Sequence, residues 1–246
     1  MNLSKNNLKN LIETEYQDYL FNDDYRIKTI NPSKLLTFKR FDLAFKLFYL
    51  EMIKWDLQFA KFFYKEHIRA FTFGKYKEPG KKEKNNIDKF IYDFNQTFQN
   101  IKINGFDNRK TLIPISKNNI ILNGAHRVAS ALYLGENVDC IEINAIEENY
   151  DYNFFYKRNV SNKILDNIAT KFIEYAENVY LAFIWPTAKG NYKEVDNILC
   201  NLIYKKQINL NFNGAHNLLS QIYYRENWLG NINNNFKGLK AKLAEC

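Results

Sequence analysis

His126 and Arg127 stand directly after Gly124, where the apolar run Ile120-Ile121-Leu122 stops at Asn123 and apolar residues resume at helical spacing through Leu132. This order predicts a strand, a tight turn and a helix. A glycine there lets backbone approach a ligand closely, and the first amides of a helix have no intrahelical acceptors. Such a turn attracts anions. With an imidazole and a forked guanidinium in the first helical turn, Asn123, Gly124, Ala125, His126 and Arg127 are candidates for gripping phosphate.

Other residues could complete such a site. Glu78 precedes a Pro79-Gly80 turn shortly upstream of this stretch, in lysine-rich surroundings that suit an exposed loop. Asp151, in the acidic and aromatic stretch 147–152, is a candidate magnesium ligand, or one carboxylate of an ordinary acidic loop. His67 lies in Glu66-His67-Ile68-Arg69 at the end of an apolar helix, where it would line a polar pocket or close a solvated helix end. A second Asn-Gly-Ala-His occurs at 213–216, so that His216 and Asn217, with Arg225 downstream, are candidates for holding an acceptor. That echo is four residues in an asparagine-rich chain, and coincidence is an equal reading. The three histidines have no zinc-binding spacing, and serine-hydrolase, Walker and dinucleotide fingerprints are absent.

The elements that must position these groups are legible in part. From Asp42, a plausible cap, to Lys65, polar residues including Lys46, Glu51 and Lys54 fall three to five apart in an otherwise apolar run. That predicts one mostly buried helix with a narrow solvated stripe. Ile87, Phe90, Ile91, Phe94 and Phe98 predict an amphipathic helix over 86–100 that packs beneath the turn. Short strands at 112–116, 120–122 and 138–143 and a helix from Ala125 to Leu134 follow. Residues 161–178 predict one long amphipathic helix, and Val179 to Ile184 a strand.

Gly105-Phe106, Leu112-Ile113-Pro114-Ile115, Ile120 to Arg127, Leu134-Gly135 and Val138-Asp139-Cys140-Ile141 together resemble the core of the ParB/sulfiredoxin-like fold. In that family a Pro-Ile-x-Val strand precedes a Gly-x-His-Arg or Gly-Glu-Arg-Arg turn that grips nucleotide phosphates. The resemblance spans residues 86–146 and is nearest in kind to the free-serine kinase branch, which presents an acidic residue towards its substrate hydroxyl shortly upstream of the core; the resemblance implies Glu78 for that carboxylate. It departs at Ala125, where sulfiredoxin has its reactive cysteine, and the Glu-Arg-Arg form of the partitioning proteins is absent. What it implies is an α/β (α+β) chain with a small mixed sheet. Residues 1–85 would be a helical N-terminal extension, 86–150 the nucleotide-binding core, and 151–246 an α/β part packed on the core as one unit.

Composition sets the outer bounds. The 246 residues are enough for a sizeable core, and 16% aromatics with only nine glycines and four prolines indicate an ordered globular chain. A net charge of +8 suits nucleic acid, an anionic membrane surface or phosphorylated small molecules, or only solubility. Three widely separated cysteines, no apolar leader and no apolar run of about 18 residues point to a cytoplasmic chain without a membrane span.

On this reading the chain is a small-molecule kinase. It would take a phosphoryl group from ATP, or bind ADP or CTP, with Mg2+, and pass it to a sugar, polyol or amino-acid-like acceptor. Glu78, His126 and Arg127 would be the catalytic groups. The alternatives are a nucleotide-dependent DNA-binding module, disfavoured because no short helix, turn and recognition helix is evident after the core, and an inactive binding subunit. Nucleic acid is an unlikely partner on this reading, and a homo-oligomer is compatible with it.

Overall fold

In the computed structural model, which describes residues 2–22, 24–77, 85–177 and 179, four short strands carry the site's framework. They are β1 (Asn2–Ser4), β2 (Asp24–Ile30), β3 (Ile113–Ile115) and β4 (Val138–Glu142), in the order β1-β2-β4-β3. β4 lies antiparallel to β2, with Ile27 opposite Ile141, and parallel to β3, with Ile113 opposite Cys140. A parallel pair needs a crossover connection, and the residues between β3 and β4 supply it with a helix. The sheet is thus mixed and small, and with the helices it makes an α/β or α+β chain.

Residues 2–30 supply two of the four strands, where the sequence suggested a helical extension. β2 escapes notice because Tyr25 and Ile27 turn inward while Asp24, Arg26 and Lys28 stay outside, so its alternation is sparse in apolar residues. The strand expected over 120–122 shrinks to one bridge, Ile115 to Ile121. Pro114 has no amide to give to a ladder, although its carbonyl accepts from Leu122 N at 2.9 Å.

Seven α-helices are present among the described residues: α1 (Lys5–Leu8), α2 (Asp42–Met52), α3 (Leu57–Thr72), α4 (Ile87–Asn104), α5 (Ala125–Leu134), α6 (Tyr152–Tyr156) and α7 (Asn162–Tyr175). The single long helix expected from Asp42 is broken in two. Asp56 adopts an extended backbone and its side chain accepts from Phe59 N at 2.9 Å, which starts α3 afresh. Phe73, left-handed at φ 51°, ends it. The helix expected over 161–178 is α7, which Ser161 caps, and a shorter helix, α6, which Asp151 caps, precedes it.

One apolar cluster joins Tyr49, Tyr64, Ile68, Phe90, Phe94 and Phe98 of α2, α3 and α4. Another joins Leu8, Ile12, Leu20 and Tyr25 to Leu112, Leu122 and Ile141 beneath the sheet. On α7, Asp166 is only 5% exposed and neither of its carboxylate oxygens has a hydrogen-bond partner. Residues Met1–Glu177 form one compact unit. No helix among the described residues is long and apolar enough to cross a membrane.

Candidate functional site

The helix that closes the expected phosphate turn begins and ends where the sequence places it, Ala125–Leu134, with a left-handed glycine at each end. Gly124 opens it at φ 90°, ψ 21°, a conformation that side-chain-bearing residues rarely adopt. A Cβ there would lie 2.7 Å from Ile113 Cδ1 and 2.8 Å from Nη2 of Arg127, so the glycine is required by packing as well as by backbone geometry. No side chain caps the helix, and its first internal bond runs from Val128 N to Gly124 O at 2.9 Å. The amides of Ala125, His126 and Arg127 therefore precede the helical ladder, as an anion-binding end requires.

His126 is placed by α3 and α4. Its Nε2 is 2.8 Å from the Tyr64 hydroxyl, and its ring stacks on Phe94 with centroids 4.6 Å apart and planes 20° apart. Tyr64 itself is fully buried and stacked on Phe94, so the imidazole is held by a rigid aromatic platform. Arg127 folds back over Gly124. Its Nη1 donates to Thr111 Oγ1 and, at 3.4 Å, to Leu112 O, while Nη2 pairs with the Glu13 carboxylate. Asn123 donates from Nδ2 to Glu15 at 2.9 Å and accepts from Gly124 N. The Tyr16 hydroxyl reaches Leu122 O at 2.9 Å. Sequence reasoning found the turn but not Glu13, Glu15, Tyr16 or Tyr64, which reach it from far along the chain with no motif to announce them.

Behind the turn lies a buried charged network. Asp42 accepts from Arg40 Nε at 2.8 Å, from Arg40 Nη2 at 3.0 Å and from Lys46 Nζ at 2.9 Å, and Arg40 Nη1 also donates to Ile121 O just before the turn. Lys46, expected on a solvated stripe, is buried because Asp42 one helical turn earlier neutralises it. Asp42 is not a cap but the anion of this network. Burial alone would raise its carboxyl, yet the Arg40 guanidinium and the Lys46 ammonium outweigh that and hold it well below the usual carboxylate range.

His67 joins the same network, with Nε2 3.3 Å from Lys46 Nζ. It is 2% exposed, and rings of Phe45, Tyr64, Phe71 and Phe155 surround it. Burial, reinforced by the Lys46 ammonium, pushes its imidazole well below the ordinary value and keeps it neutral. Its neighbours Glu66 and Arg69 pair with each other, and Arg69 also ties to the carbonyls of Arg158 and Asn159 after α6. The Glu-His-x-Arg cluster thus anchors α3 to the turn after α6.

Asp151 commits Oδ1 to Phe154 N at 2.8 Å, as the cap of α6, and Oδ2 to Asn149 at 3.2 Å. No group of three or more histidine, cysteine or acidic side chains that could hold a metal occurs among the described residues. Glu78, His216, Asn217 and Arg225 lie outside the described residues. No protein-family model matches the chain, and no curated protein or solved structure matches it.

Proposed function

We propose that the chain binds the phosphates of a nucleotide at the Asn123 to Arg127 turn and transfers a phosphoryl group to a small hydroxyl-bearing acceptor. The observation that carries this reading is the left-handed Gly124 opening α5, with three amides ahead of the first helical bond and an imidazole and a guanidinium rooted in that same turn. The likeness of residues 86–146 to the ParB/sulfiredoxin-like core, in which such a turn grips nucleotide phosphates, supports the same assignment.

Phosphoryl transfer asks a protein mainly for positioning and charge stabilisation. The bond from the terminal phosphorus to the nucleotide's bridging oxygen breaks, a bond to the acceptor oxygen forms, and the acceptor proton leaves to a base, for which Glu78 remains our candidate. His126, fixed by Tyr64 and Phe94, hydrogen-bonds a phosphate oxygen, and Arg127, folded back over Gly124, neutralises developing charge. Asp151 remains our candidate magnesium ligand, with lone pairs left on both oxygens besides those that accept from Phe154 N and Asn149 Nδ2.

The short helix, turn and longer helix at 152–175 favour the other reading, a DNA-binding module. However, the exposed positions of α7, Lys163 and Glu174, carry opposite charges, which suits a phosphate backbone poorly. Incubating the protein with terminally labelled ATP, magnesium and a panel of sugars, polyols and amino acids decides the matter. We expect label transfer to one acceptor class, reduced by roughly two orders of magnitude in Arg127→Ala. No labelled product, with wild type and Arg127→Ala equal in nucleotide binding, would overturn the proposal.

A further inference from the structure

The segment between β1 and β2 is held firmly at two places and loosely between them. Leu8 and Ile12 on one side and Leu20 on the other are buried in the cluster beneath the sheet, whereas the 3-10 helix Thr14–Tyr19 contains no buried residue. Its Tyr16 and Tyr19 only lean on that cluster. Gln17 Nε2 donates back to Lys9 O at 2.7 Å, and three further polar bonds of residues 13–19 converge on the turn: Glu13 on Arg127, Glu15 on Asn123, and the Tyr16 hydroxyl on Leu122 O.

From this we infer that residues 13–19 are a displaceable strap on the phosphate turn, with the Glu13 carboxylate occupying Arg127 until a phosphate oxygen replaces it. The inference rests on the phosphate-binding reading of that turn and adds its regulation. A carboxylate presents two oxygens to a guanidinium much as a phosphate does, so Glu13 is an internal stand-in for the ligand. The stand-in is imperfect. Only Oε1 of Glu13 is paired, and Oε2 is buried without a hydrogen-bond partner, so release returns an unsatisfied oxygen to water. Arg127 keeps Thr111 and Leu112 as partners when Glu13 leaves, which holds the guanidinium over the turn for an incoming anion. Opening the strap therefore requires a ligand with an anionic phosphate group. A free sugar or a nucleoside would not displace it.

The test is calorimetric titration of the full chain with ATP, inorganic pyrophosphate and adenosine, in wild type, Glu13→Gln and Tyr16→Phe. It is joined to hydrogen exchange of the amides of residues 14–19 with and without ATP. The expected result is that Glu13→Gln binds ATP and pyrophosphate roughly tenfold tighter than wild type. Tyr16→Phe, which loosens the strap without touching the ion pair, should tighten both in the same direction, and wild-type exchange at 14–19 should accelerate with ATP while adenosine changes nothing. Thermal melts establish that each variant is folded. If wild type binds ATP but neither variant binds it more tightly, or if ATP slows exchange at 14–19, the strap is wrong and the phosphate turn stands. If neither wild type nor Glu13→Gln binds ATP or pyrophosphate, the phosphate reading falls and the strap falls with it.

Discussion

Replacing Asp166 by asparagine should stabilise the fold at neutral pH and leave it little changed in acid. Asp166 is 5% exposed on α7, both its oxygens lack partners, and Tyr152, whose hydroxyl is also unpartnered, is close enough to feel its charge. Burial pushes its carboxyl from the usual 3.8 up to about 6. Because the folded value is raised, the fold favours the protonated form. Its contribution is complete below the unfolded value and is lost as pH rises through about 6. At about 1.4 kcal/mol per pH unit of displacement, the ionised carboxylate weakens the folded state by up to ~3 kcal/mol. Asparagine fills nearly the same volume and has no charge to bury. The stability advantage of Asp166→Asn should therefore grow by up to ~3 kcal/mol between about pH 4 and about pH 7.5, with melting temperature rising by roughly 4–10 °C at the upper pH. Urea denaturation of both proteins across this range measures the difference, which cancels the titration of every other group. A difference that stays flat with pH, or an asparagine variant less stable than wild type at neutral pH, would refute the reasoning.

Other perturbations have equally definite outcomes. Gly124→Ala forces a side chain into a left-handed backbone and against Ile113 and Arg127; chemical denaturation should show a loss of about 2–4 kcal/mol. Asp42→Asn leaves Arg40 and Lys46 buried without their counter-ion and should lower stability by about 3–5 kcal/mol in the same assay. NMR titration of the His67 imidazole should find it still neutral at about pH 6, where a solvated histidine is largely charged. Since the unfolded chain takes up that proton first, His67 makes the fold less stable as pH falls below the ordinary histidine value.

Local pattern revealed the helices of this fold better than its sheet. The bounds of α5 were legible because a glycine stands at each end of one apolar period, and α4 because Phe90, Phe94 and Phe98 share one face. β1 and β2 were not, since a three-residue strand with one apolar side chain, and a longer one with two inward apolar residues among charged neighbours, resemble polar loop until their partners are known. The buried Lys46 of α2 was read as solvent-facing, and Asp42 as a cap, for a related reason. Lys46 is a surface residue by type, and only Asp42 and Arg40, brought together by folding, make its burial tolerable. At the site, the turn itself was announced by Gly124 between two apolar runs, whereas Arg127 and its partner Glu13 are 114 positions apart, a separation no spacing rule reaches.

The central claim is that the amides opening α5 receive phosphate. Backbone amide chemical shifts of the isotope-labelled protein, followed as ATP is added, test it most directly. The account predicts the largest changes at Gly124, Ala125, His126 and Arg127, lost in Gly124→Ala. Saturable changes confined to other elements, or none at all at millimolar ATP, would contradict it.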